Sequence, residues 1–288
     1  MLEFLCNIWK VEHGSAAYIQ TPNGRKLLLD VGKSDDFSPA NHLYYNWDVS
    51  HIDKLVISHP HDDHIEDLPT LRNLMTIDSR VWNPATPERL IYPSGKINLR
   101  EPMKSWLSMS ESYTGTVSSD EHITSPTFFG GVQFNTFYTS EPYLPERARN
   151  NINNYSLVLT VNYRGLLIVF PGDLEPDGWE AVLDNTTLEN HLSADYKILI
   201  APHHGRRSGI RWPDGSLYTR FIDKLRPNLT IISDKRGNET TDPEAYRPYC
   251  SGCDVTCSGQ SENRKIITTK TNECVSIQID GNSLVIKI

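Results

Sequence analysis

The sequence lacks the features of membrane-spanning and secreted chains. No apolar run among its 288 residues approaches the length that crosses a bilayer. Residues 1–15 show no basic segment followed by a long apolar one, so we expect no signal peptide. The five cysteines are an odd number, which disfavours a framework of paired disulfides. We therefore expect a cytoplasmic chain without a membrane partner.

Basic residues are also scarce. Lysine and arginine number 28 against 36 acidic residues, so the formal net charge is −8. This balance argues against a broad basic surface that wraps duplex DNA. It still allows a nucleic-acid end or single strand to enter a cleft charged by bound cations, which can be the largest local charges. Internal repeats and low-complexity tracts are absent, and we expect one globular domain over residues 1–288.

The most informative stretch is the apolar run Leu55 to Ile57, which predicts a buried strand, and the ligand-type residues after it. His59, His61, Asp63 and His64 follow within six residues. Imidazole and carboxylate are ligands that Zn²⁺ or Mn²⁺ accepts. Alternate residues in an extended turn diverge, so His59 and His61 suit one ion, and Asp63 and His64 suit a second one. This pattern predicts a two-metal site that cleaves a phosphate or acyl ester.

Two further apolar strands end in ligand-type residues. Asp173 follows the run Leu166 to Phe170, and its two carboxylate oxygens could bridge two cations. His203 and His204 follow the run Ala194 to Pro202. Adjacent residues on an extended chain point to opposite sides, so we expect one of these histidines to bind metal and the other to face substrate.

Three more residues are candidates for supporting roles. Asp30 ends an apolar strand, where an acid is out of place unless it is hydrogen-bonded. We interpret it as a residue that orients a metal-binding histidine, with a plain turn acid as the alternative. Arg206 and Arg207 could grip a neighbouring phosphate as planar donors, or they could lie in a solvated loop.

Two segments are less regular. Prolines interrupt residues 76–127, and we expect a lid-like insertion there that sets substrate choice; Trp106 within it could face substrate, although packing is favoured. A polar loop at about 234–264 holds three of the cysteines. With a fourth, these could bind a structural zinc ion, or they could be reduced thiols at the surface. The four cysteines are Cys250, Cys253, Cys257 and Cys274.

Apolar periodicity and turn residues also predict the secondary structure. Strands are expected over residues 4–9, 16–20, 25–31, 131–139, 166–170, 194–202, 228–233, 265–269, 274–279 and 284–288. Helices are expected over residues 65–75, 99–110, 177–189 and 217–225.

Taken in order, the segments HPHDDH, PGD and PHHG resemble the metallo-β-lactamase fold over nearly the whole chain. The resemblance implies an α/β, four-layer αββα sandwich with metals at one edge between the sheets, and metal-dependent hydrolysis. The segments VEHGSAAYIQTPNGRKLLLDVG, NNYSLVL, PGDLE and PHHGRRSG resemble the competence-protein type, the ComEC metallo-hydrolase domain. That group is linked to cleavage of DNA phosphodiester bonds.

The same resemblance implies roles for individual residues and a pair of divalent ions, Zn²⁺ or Mn²⁺. One ion would be held by His59, His61 and Asp173, and the other by Asp63, Asp173 and His204, with His64 also there. Asp63 and His203 would take part in catalysis, the latter by donating to a phosphate oxygen or leaving group, and Asn154 would add a hydrogen bond. The roles of His203 and His204 could be exchanged.

The chain also departs from the family. A further metal-binding histidine of many members has no counterpart in the segment NNINNYS. The competence enzymes are attached to a membrane channel, and a role in DNA uptake is therefore not carried over.

The expected function is a phosphodiesterase or nuclease that uses metal-activated water, with DNA or RNA as candidate substrates. One alternative is a hydrolase of a small ester, such as a cyclic nucleotide, a phosphocholine ester or a lactam, which the acidic net charge favours. The other is a non-catalytic binding protein with a degenerate site. Comparing nucleic acids with small diesters separates the first two, and metal-loaded protein inert on every ester would favour the third.

Overall fold

The computed structural model describes residues 3–234, 240–270, 273–281 and 283–288. Two β-sheets, of nine and six strands, account for the strands of this part of the chain. In chain order the strands are β1 (Phe4–Trp9), β2 (Ala16–Gln20), β3 (Lys26–Val31), β4 (His51–Val56), β5 (Thr76–Val81), β6 (Gln133–Phe137), β7 (Val158–Tyr163), β8 (Leu166–Phe170), β9 (Tyr196–Ile200), β10 (Leu229–Ile232), β11 (Cys253–Cys257), β12 (Gln260–Arg264), β13 (Ile266–Thr268), β14 (Cys274–Asp280) and β15 (Ser283–Lys287).

The first sheet has the order β12-β11-β15-β14-β1-β2-β3-β4-β5, and the second has the order β13-β10-β9-β8-β7-β6. In the first sheet β3, β4 and β5 run parallel to one another. In the second, β8, β9, β10 and β13 do the same. The carboxyl ends of parallel neighbours lie at one edge of a sheet, so each sheet presents a row of strand ends on which a site can be built.

The helices are short and pack on the outer sides of the sheets. They are α1 (Pro39–Asn41), α2 (Asp62–Ile65), α3 (Leu68–Leu74), α4 (Glu88–Ile91), α5 (Glu101–Ser112), α6 (Pro176–Asn185), α7 (Arg207–Ile210), α8 (Arg220–Leu225) and α9 (Pro243–Tyr246). None of the helices in the described ranges has both the length and the apolar character needed to span a bilayer.

Three layers of apolar side chains hold these four layers of backbone together. One layer lies between the sheets, a second lies between the first sheet and α1, α3 and α5, and a third lies between the second sheet and α6, α8 and α9. Strand β1 shows the alternation: Phe4 and Ile8 face the space between the sheets, whereas Leu5 and Trp9 face the helices. Each such side chain stabilises the fold by about 1.5–3 kcal/mol when fully buried. The predicted αββα sandwich is confirmed.

Most predicted elements form, and three strands (β1, β2 and β8) have the predicted ends. The helix predicted over residues 65–75 is instead split into α2 and α3. The break occurs because the Asp67 N–H donates to the carbonyl of Val31 in β3, 2.8 Å away, instead of to a helical carbonyl. Pro69 is then the second residue of α3, in the first turn, where a backbone N–H has no helical partner and its absence does no harm.

Residues 76–81, the start of the segment predicted as a lid-like insertion, form β5, which pairs with β4 at the edge of the first sheet. The sequence analysis did not predict this strand. Later in the segment, α5 packs against α3, and Trp106 is fully buried. The tryptophan therefore packs, as favoured. The effect of the segment on substrate choice stays a prediction.

Of the two alternatives for the cysteine-containing loop, the structure favours free thiols over a zinc ion held by all four cysteines. Cys253 and Cys257 lie at opposite ends of the five-residue strand β11, so four rises of extended chain place them about 13 Å apart. Cys250 is buried 3.3 Å from the Thr230 hydroxyl. All five cysteines are free thiols, and no group of metal-ligating side chains found in the described ranges contains one. Residues 235–239 of the predicted loop lie outside the described residues.

Candidate metal centre

The ends of four strands, two from each sheet, converge at one edge of the sandwich. In the first sheet Asp30 lies near the end of β3, and the loop after β4 carries the histidines that begin at His59. In the second sheet Asp173 follows β8, and His203 and His204 follow β9. Sequence reasoning placed ligand residues at these strand ends, and the fold brings the ends together.

Four side chains, named here the central cluster, lie closest together: Asp63, His64, Asp173 and His204, each offering a ligand atom within 4.8 Å of the others. The Asp173 Oδ1 oxygen is 3.2 Å from His64 Nε2 and 3.4 Å from His204 Nε2. His204 Nε2 is also 3.3 Å from Asp63 Oδ2. Three of the four residues are buried, whereas the Asp63 side chain keeps 37% of its surface exposed and so opens the cluster to solvent.

The central cluster fits a divalent metal ion. The Nε2 atoms of His64 and His204 are buried and have no hydrogen-bond partner among the described residues, although carboxylate oxygens lie close by. His64 Nδ1 lies 2.8 Å from Asp30 Oδ2, and because a carboxylate can only accept, this nitrogen is the donor. In the neutral ring Nε2 then has a free lone pair for a metal. Two imidazoles and two carboxylates form a donor set suited to Zn²⁺ or Mn²⁺.

The other predicted ligands, His59 and His61, are brought alongside but less tightly. His59 Nε2 lies 2.9 Å from His61 Nδ1 and 4.0 Å from Asp173 Oδ2. The ring centroids of His59 and His64 are 4.2 Å apart. The structure therefore brings all six predicted ligands together, and the four residues of the central cluster form a more compact group than His59 and His61 do. Which of them bind metal stays a prediction.

Asp30 lies where the sequence analysis expected a supporting acid. It is buried, and its carboxylate accepts hydrogen bonds from the Ser58 N–H at 2.7 Å, the Ser58 hydroxyl at 2.9 Å and His64 Nδ1. Its backbone has φ +52°, a left-handed conformation that is uncommon for residues other than glycine. One carboxylate thus fixes both the loop after β4 and the ring of a candidate ligand.

Two glycines let the backbone of Asp63 approach the first sheet. A Cβ atom on Gly14 would lie 2.5 Å from the Asp63 carbonyl oxygen, and one on Gly32 would lie 2.3 Å from it. The Ser15 N–H donates to the same oxygen at 3.2 Å. A side chain at either glycine would displace the backbone of a cluster residue.

His203 and His204 do not continue the extended strand, so the premise that their side chains point to opposite sides is wrong. Both have left-handed backbones, with φ +48° and +54°, in the 3₁₀ turn Pro202–Gly205. His204 Nε2 lies 3.4 Å from Asp173 Oδ1, and His203 Nε2 lies 3.6 Å from Asp173 Oδ2. The turn therefore directs both rings at one carboxylate.

Sequence reasoning missed several residues that hold the site together. The Ser156 hydroxyl accepts from the Asp173 N–H at 3.1 Å and lies 3.3 Å from His59 Nδ1. Glu175 Oε1 lies 3.3 Å from His203 Nδ1. Both residues belong to the segments NNYS and PGDLE that carried the resemblance, but a serine or a glutamate beside a ligand has no distinctive spacing of its own.

Asn154 is not brought to the central cluster. Its side chain donates to the Ala148 carbonyl at 3.4 Å, and its Oδ1 accepts from the Gly178 N–H at 3.2 Å. The amide therefore supports the start of α6, and its predicted catalytic role is not supported by its position.

Arg206 has its Nε buried without a hydrogen-bond partner among the described residues, and Arg207 is exposed. A phosphate-binding role for either arginine stays a prediction.

The charges of the site are strongly coupled. Burial, and then repulsion by His64, lower the pKa of His59 well below its ordinary value. Burial is the largest single influence on His204 and opposes its charge, but the Asp173 and Asp63 carboxylates together outweigh burial and raise the pKa of that imidazole to about 9. Against burial, His204 and His64 hold the pKa of Asp173 well below its usual range. Carboxylates without a metal thus recruit protons onto the neighbouring rings, and a cation would take the place of those protons.

No protein-family model matches the chain. Over 250 residues it is 25% identical to ComE operon protein 3 of Bacillus subtilis (strain 168), a match that covers 81% of the chain and 28% of that protein. Over 177 residues it is 26% identical to endoribonuclease ysh1 of Emericella nidulans, covering 60% of the chain and 20% of that protein. The chain therefore spans less than a third of the length of either curated relative.

Solved structures with a similar arrangement include the metallo-β-lactamase fold protein YhfI from Bacillus subtilis, at 12% identity and a TM-score of 0.46, covering 94% of the chain and 98% of that structure. A diphosphatase from the PhnP family matches at 12% identity and a TM-score of 0.45, covering 96% and 98% respectively. Within the described residues, two facing sheets lie between outer helices, and the three ligand motifs meet at one edge in the predicted order. The chain has the metallo-β-lactamase fold.

Proposed function

We propose that the chain is a metal-dependent hydrolase that cleaves phosphodiester bonds. The observation that carries this proposal is the pair of buried histidine nitrogens in the central cluster, which lie beside carboxylates and have no hydrogen-bond partner among the described residues. Divalent ions bound there would lower the pKa of a bound water and neutralise charge on the phosphate oxygens. The similarity to a relative named as an endoribonuclease and the resemblance to the competence-protein type support a phosphodiester substrate.

The position of Asp173 supports binding of two ions. Its Oδ1 faces His64 and His204, at 3.2 and 3.4 Å. Its Oδ2 faces His59 and His203, at 4.0 and 3.6 Å. A carboxylate whose two oxygens face different sets of ligands is suited to bridge a pair of cations. We infer that His64 and His204 with Asp63 would hold one ion, and that His59 with His61 would hold the other.

His203 would act on the leaving group. Its ring is largely buried but keeps 12% of its side-chain surface exposed, and its Nε2 faces the carboxylate that the two ion sites share. The water oxygen forms a bond to phosphorus as the bond from phosphorus to the leaving oxygen breaks. His203 Nε2–H then gives its proton to that oxygen. The products are a phosphate monoester and an alcohol. One proton of the attacking water restores the Nε2–H of His203, and the other stays on the new phosphate group until it passes to solvent.

The surroundings of Asp63 bear on the size of the substrate. A cavity of about 280 Å³ beside Asp63 is lined by further acids, among them Glu12, Asp62 and Glu66. Arg100 pairs with two of these acids and compensates part of their charge. An acidic opening repels a polyanion more than it repels a single diester, and this favours a small-molecule ester as the second candidate substrate.

The proposal is tested with Zn²⁺- and Mn²⁺-loaded protein on a nitrophenyl phosphodiester, a single-stranded oligonucleotide, a cyclic nucleotide and a lactam. We expect cleavage of phosphodiesters, and loss of that activity in Asp63→Ala and His61→Ala variants that keep the wild-type circular dichroism spectrum. Full activity after exhaustive chelation would contradict the metal mechanism. Metal-loaded protein that is inert on every ester would indicate a binding protein instead.

A further inference from the structure

The ring of His203 is held on the side away from the central cluster. Its Nδ1 lies 2.8 Å from the Ser208 hydroxyl and 3.3 Å from Glu175 Oε1. Its Nε2, on the other side of the ring, faces Asp173. The backbone strain at this residue does not determine how the ring rotates, so the contacts at Nδ1 decide where Nε2 points.

Glu175 is itself fixed in place. Its Oε2 accepts from the Asn151 side-chain amide at 2.8 Å, and its Oε1 accepts from Asn153 at 3.4 Å. Its carbonyl oxygen accepts from the Trp179 N–H at the start of α6. The carboxylate therefore has little freedom to leave His203, and it lies two residues after Asp173 on the same rigid turn.

We propose that Glu175 is a positioning residue for the reaction. Its carboxylate, 3.3 Å from His203 Nδ1, would attract a proton to that nitrogen and so fix the ring with Nε2 directed at the leaving oxygen. This inference rests on the proposed function, because it concerns the step in which His203 gives a proton to the leaving group. Ser208 can accept from the same Nδ1–H, and the two contacts are separable by substitution.

The test compares two methyl phosphodiesters, one that releases nitrophenol and one that releases a simple alkyl alcohol. An activated phenol leaves without a proton, whereas an alkoxide needs one. We expect Glu175→Gln and His203→Ala each to lower kcat on the alkyl ester by about 10- to 100-fold. The nitrophenyl ester should change by less than about threefold, and the double variant should be no slower than His203→Ala alone.

Asp177→Asn is the matched control, since it removes a nearby acid whose carboxylate binds Arg147 at the surface. It should leave both rates and the metal content unchanged. Equal losses on the two esters, or additive losses in the double variant, would show that Glu175 acts through the general structure and overturn the proposal. If Ser208→Ala slows the alkyl ester and not the nitrophenyl ester, whereas Glu175→Gln shows no such difference, the serine and not Glu175 positions the ring.

A second measurement, made on the wild-type chain, tests the proposal even if the Glu175→Gln variant fails to fold. In the Zn²⁺-loaded wild-type chain, ¹⁵N shifts of His203 should show a proton on Nδ1, and a ring protonated on Nε2 alone would overturn the proposal. The outcome is also separable from failure of the proposed function. A wild-type chain that cleaves neither ester contradicts the function itself, whereas one that cleaves both at rates unaffected by Glu175→Gln contradicts the positioning role alone.

Discussion

The described part of the chain holds two groups of histidine and aspartate side chains that are close enough to share an ion. One is the central cluster. The other, named here the edge cluster, consists of His51 and Asp53 on β4 and Asp78 on β5. Their compositions are similar, but the central cluster joins strand ends from both sheets, whereas the edge cluster lies along two neighbouring strands of one sheet.

The groups around them differ as well. In the edge cluster, Asp53 already accepts from Arg25 at 2.7 Å and from the Lys26 N–H at 2.7 Å. His51 has Nδ1 3.0 Å from the Thr76 hydroxyl, and Asp78 is exposed. These polar groups have partners without a metal. Residue type alone therefore does not distinguish the two clusters, whereas buried ligand nitrogens without hydrogen-bond partners among the described residues occur in the central cluster and not in the edge cluster.

The largest effect is expected from the carboxylate at the centre. Asp173→Asn removes the charge that faces His64 and His204 on one side and His59 on the other. We expect loss of bound metal and a fall in phosphodiesterase activity of about 1,000-fold or more. Asp53→Asn in the edge cluster should leave metal content and activity unchanged. Metal analysis and kinetics on both variants test this expectation. Metal loss from the Asp53→Asn variant would show that the edge cluster, too, holds bound metal.

Removal of metal should also separate the clusters. Binding of an ion to the folded chain alone stabilises it by about 2.7 kcal/mol when free ion exceeds the dissociation constant a hundredfold. Chelation should therefore lower the melting temperature of the wild-type chain. Chelation should lower the melting temperature of a His51→Ala variant by the same amount, because the edge cluster contributes no ligand to the bound ion. Calorimetry with and without chelator measures the shift, and a smaller shift in that variant would place an ion in the edge cluster.

A subtler difference is expected from the groups that support each cluster. Asp30→Asn weakens the acceptor that holds His64 Nδ1, and we expect metal affinity to fall about 10- to 100-fold. Thr76→Ala removes the corresponding contact of His51 and should leave metal affinity unaltered. Competition titrations with a coloured chelator measure both. Equal affinities for the Asp30→Asn variant and wild type would argue against its orienting role.

The smallest effect concerns backbone fit. Gly32→Ala would place a Cβ 2.3 Å from the Asp63 carbonyl oxygen, so the loop after β4 must shift. We expect a loss of about 1 kcal/mol or more in the free energy of unfolding. Gly115→Ala, at a position with no atom within 4 Å of the added Cβ, should stay within about 0.5 kcal/mol of wild type. Denaturant unfolding of the pair provides the measurement.

Local pattern predicted much of the fold because the buried strands are continuous apolar runs. The five residues Leu166–Phe170 are all buried, and a run of this kind predicts a strand with correct ends. The β12 strand Gln260–Arg264 is exposed along its whole length and pairs at the edge of the first sheet, so no apolar period marks it. Strand β5 is partly exposed, and prolines follow it, so it was not predicted from the sequence.

The residues of the candidate site were predictable because ligand-type side chains at strand ends are chemically distinctive. Their conformations were not. The left-handed turn at His203 and His204 depends on a contact far away in the sequence, the 3.1 Å bond from the His203 N–H to the Gly172 carbonyl. Asn154 could not be excluded either, since its direction depends on α6, which packs beneath it.

The left-handed backbone at His203 and His204 has a consequence for evolution under heat. For most amino acids with a side chain, this conformation is disfavoured by about 1–2 kcal/mol per residue, and glycine avoids the penalty. Selection for thermal endurance by itself would therefore favour glycine at His203, whereas loss of His204 would deprive the buried Asp173 carboxylate of a compensating partner. Robustness and chemistry thus compete at His203, and variants recovered in a search for heat-resistant but inactive protein should concentrate there.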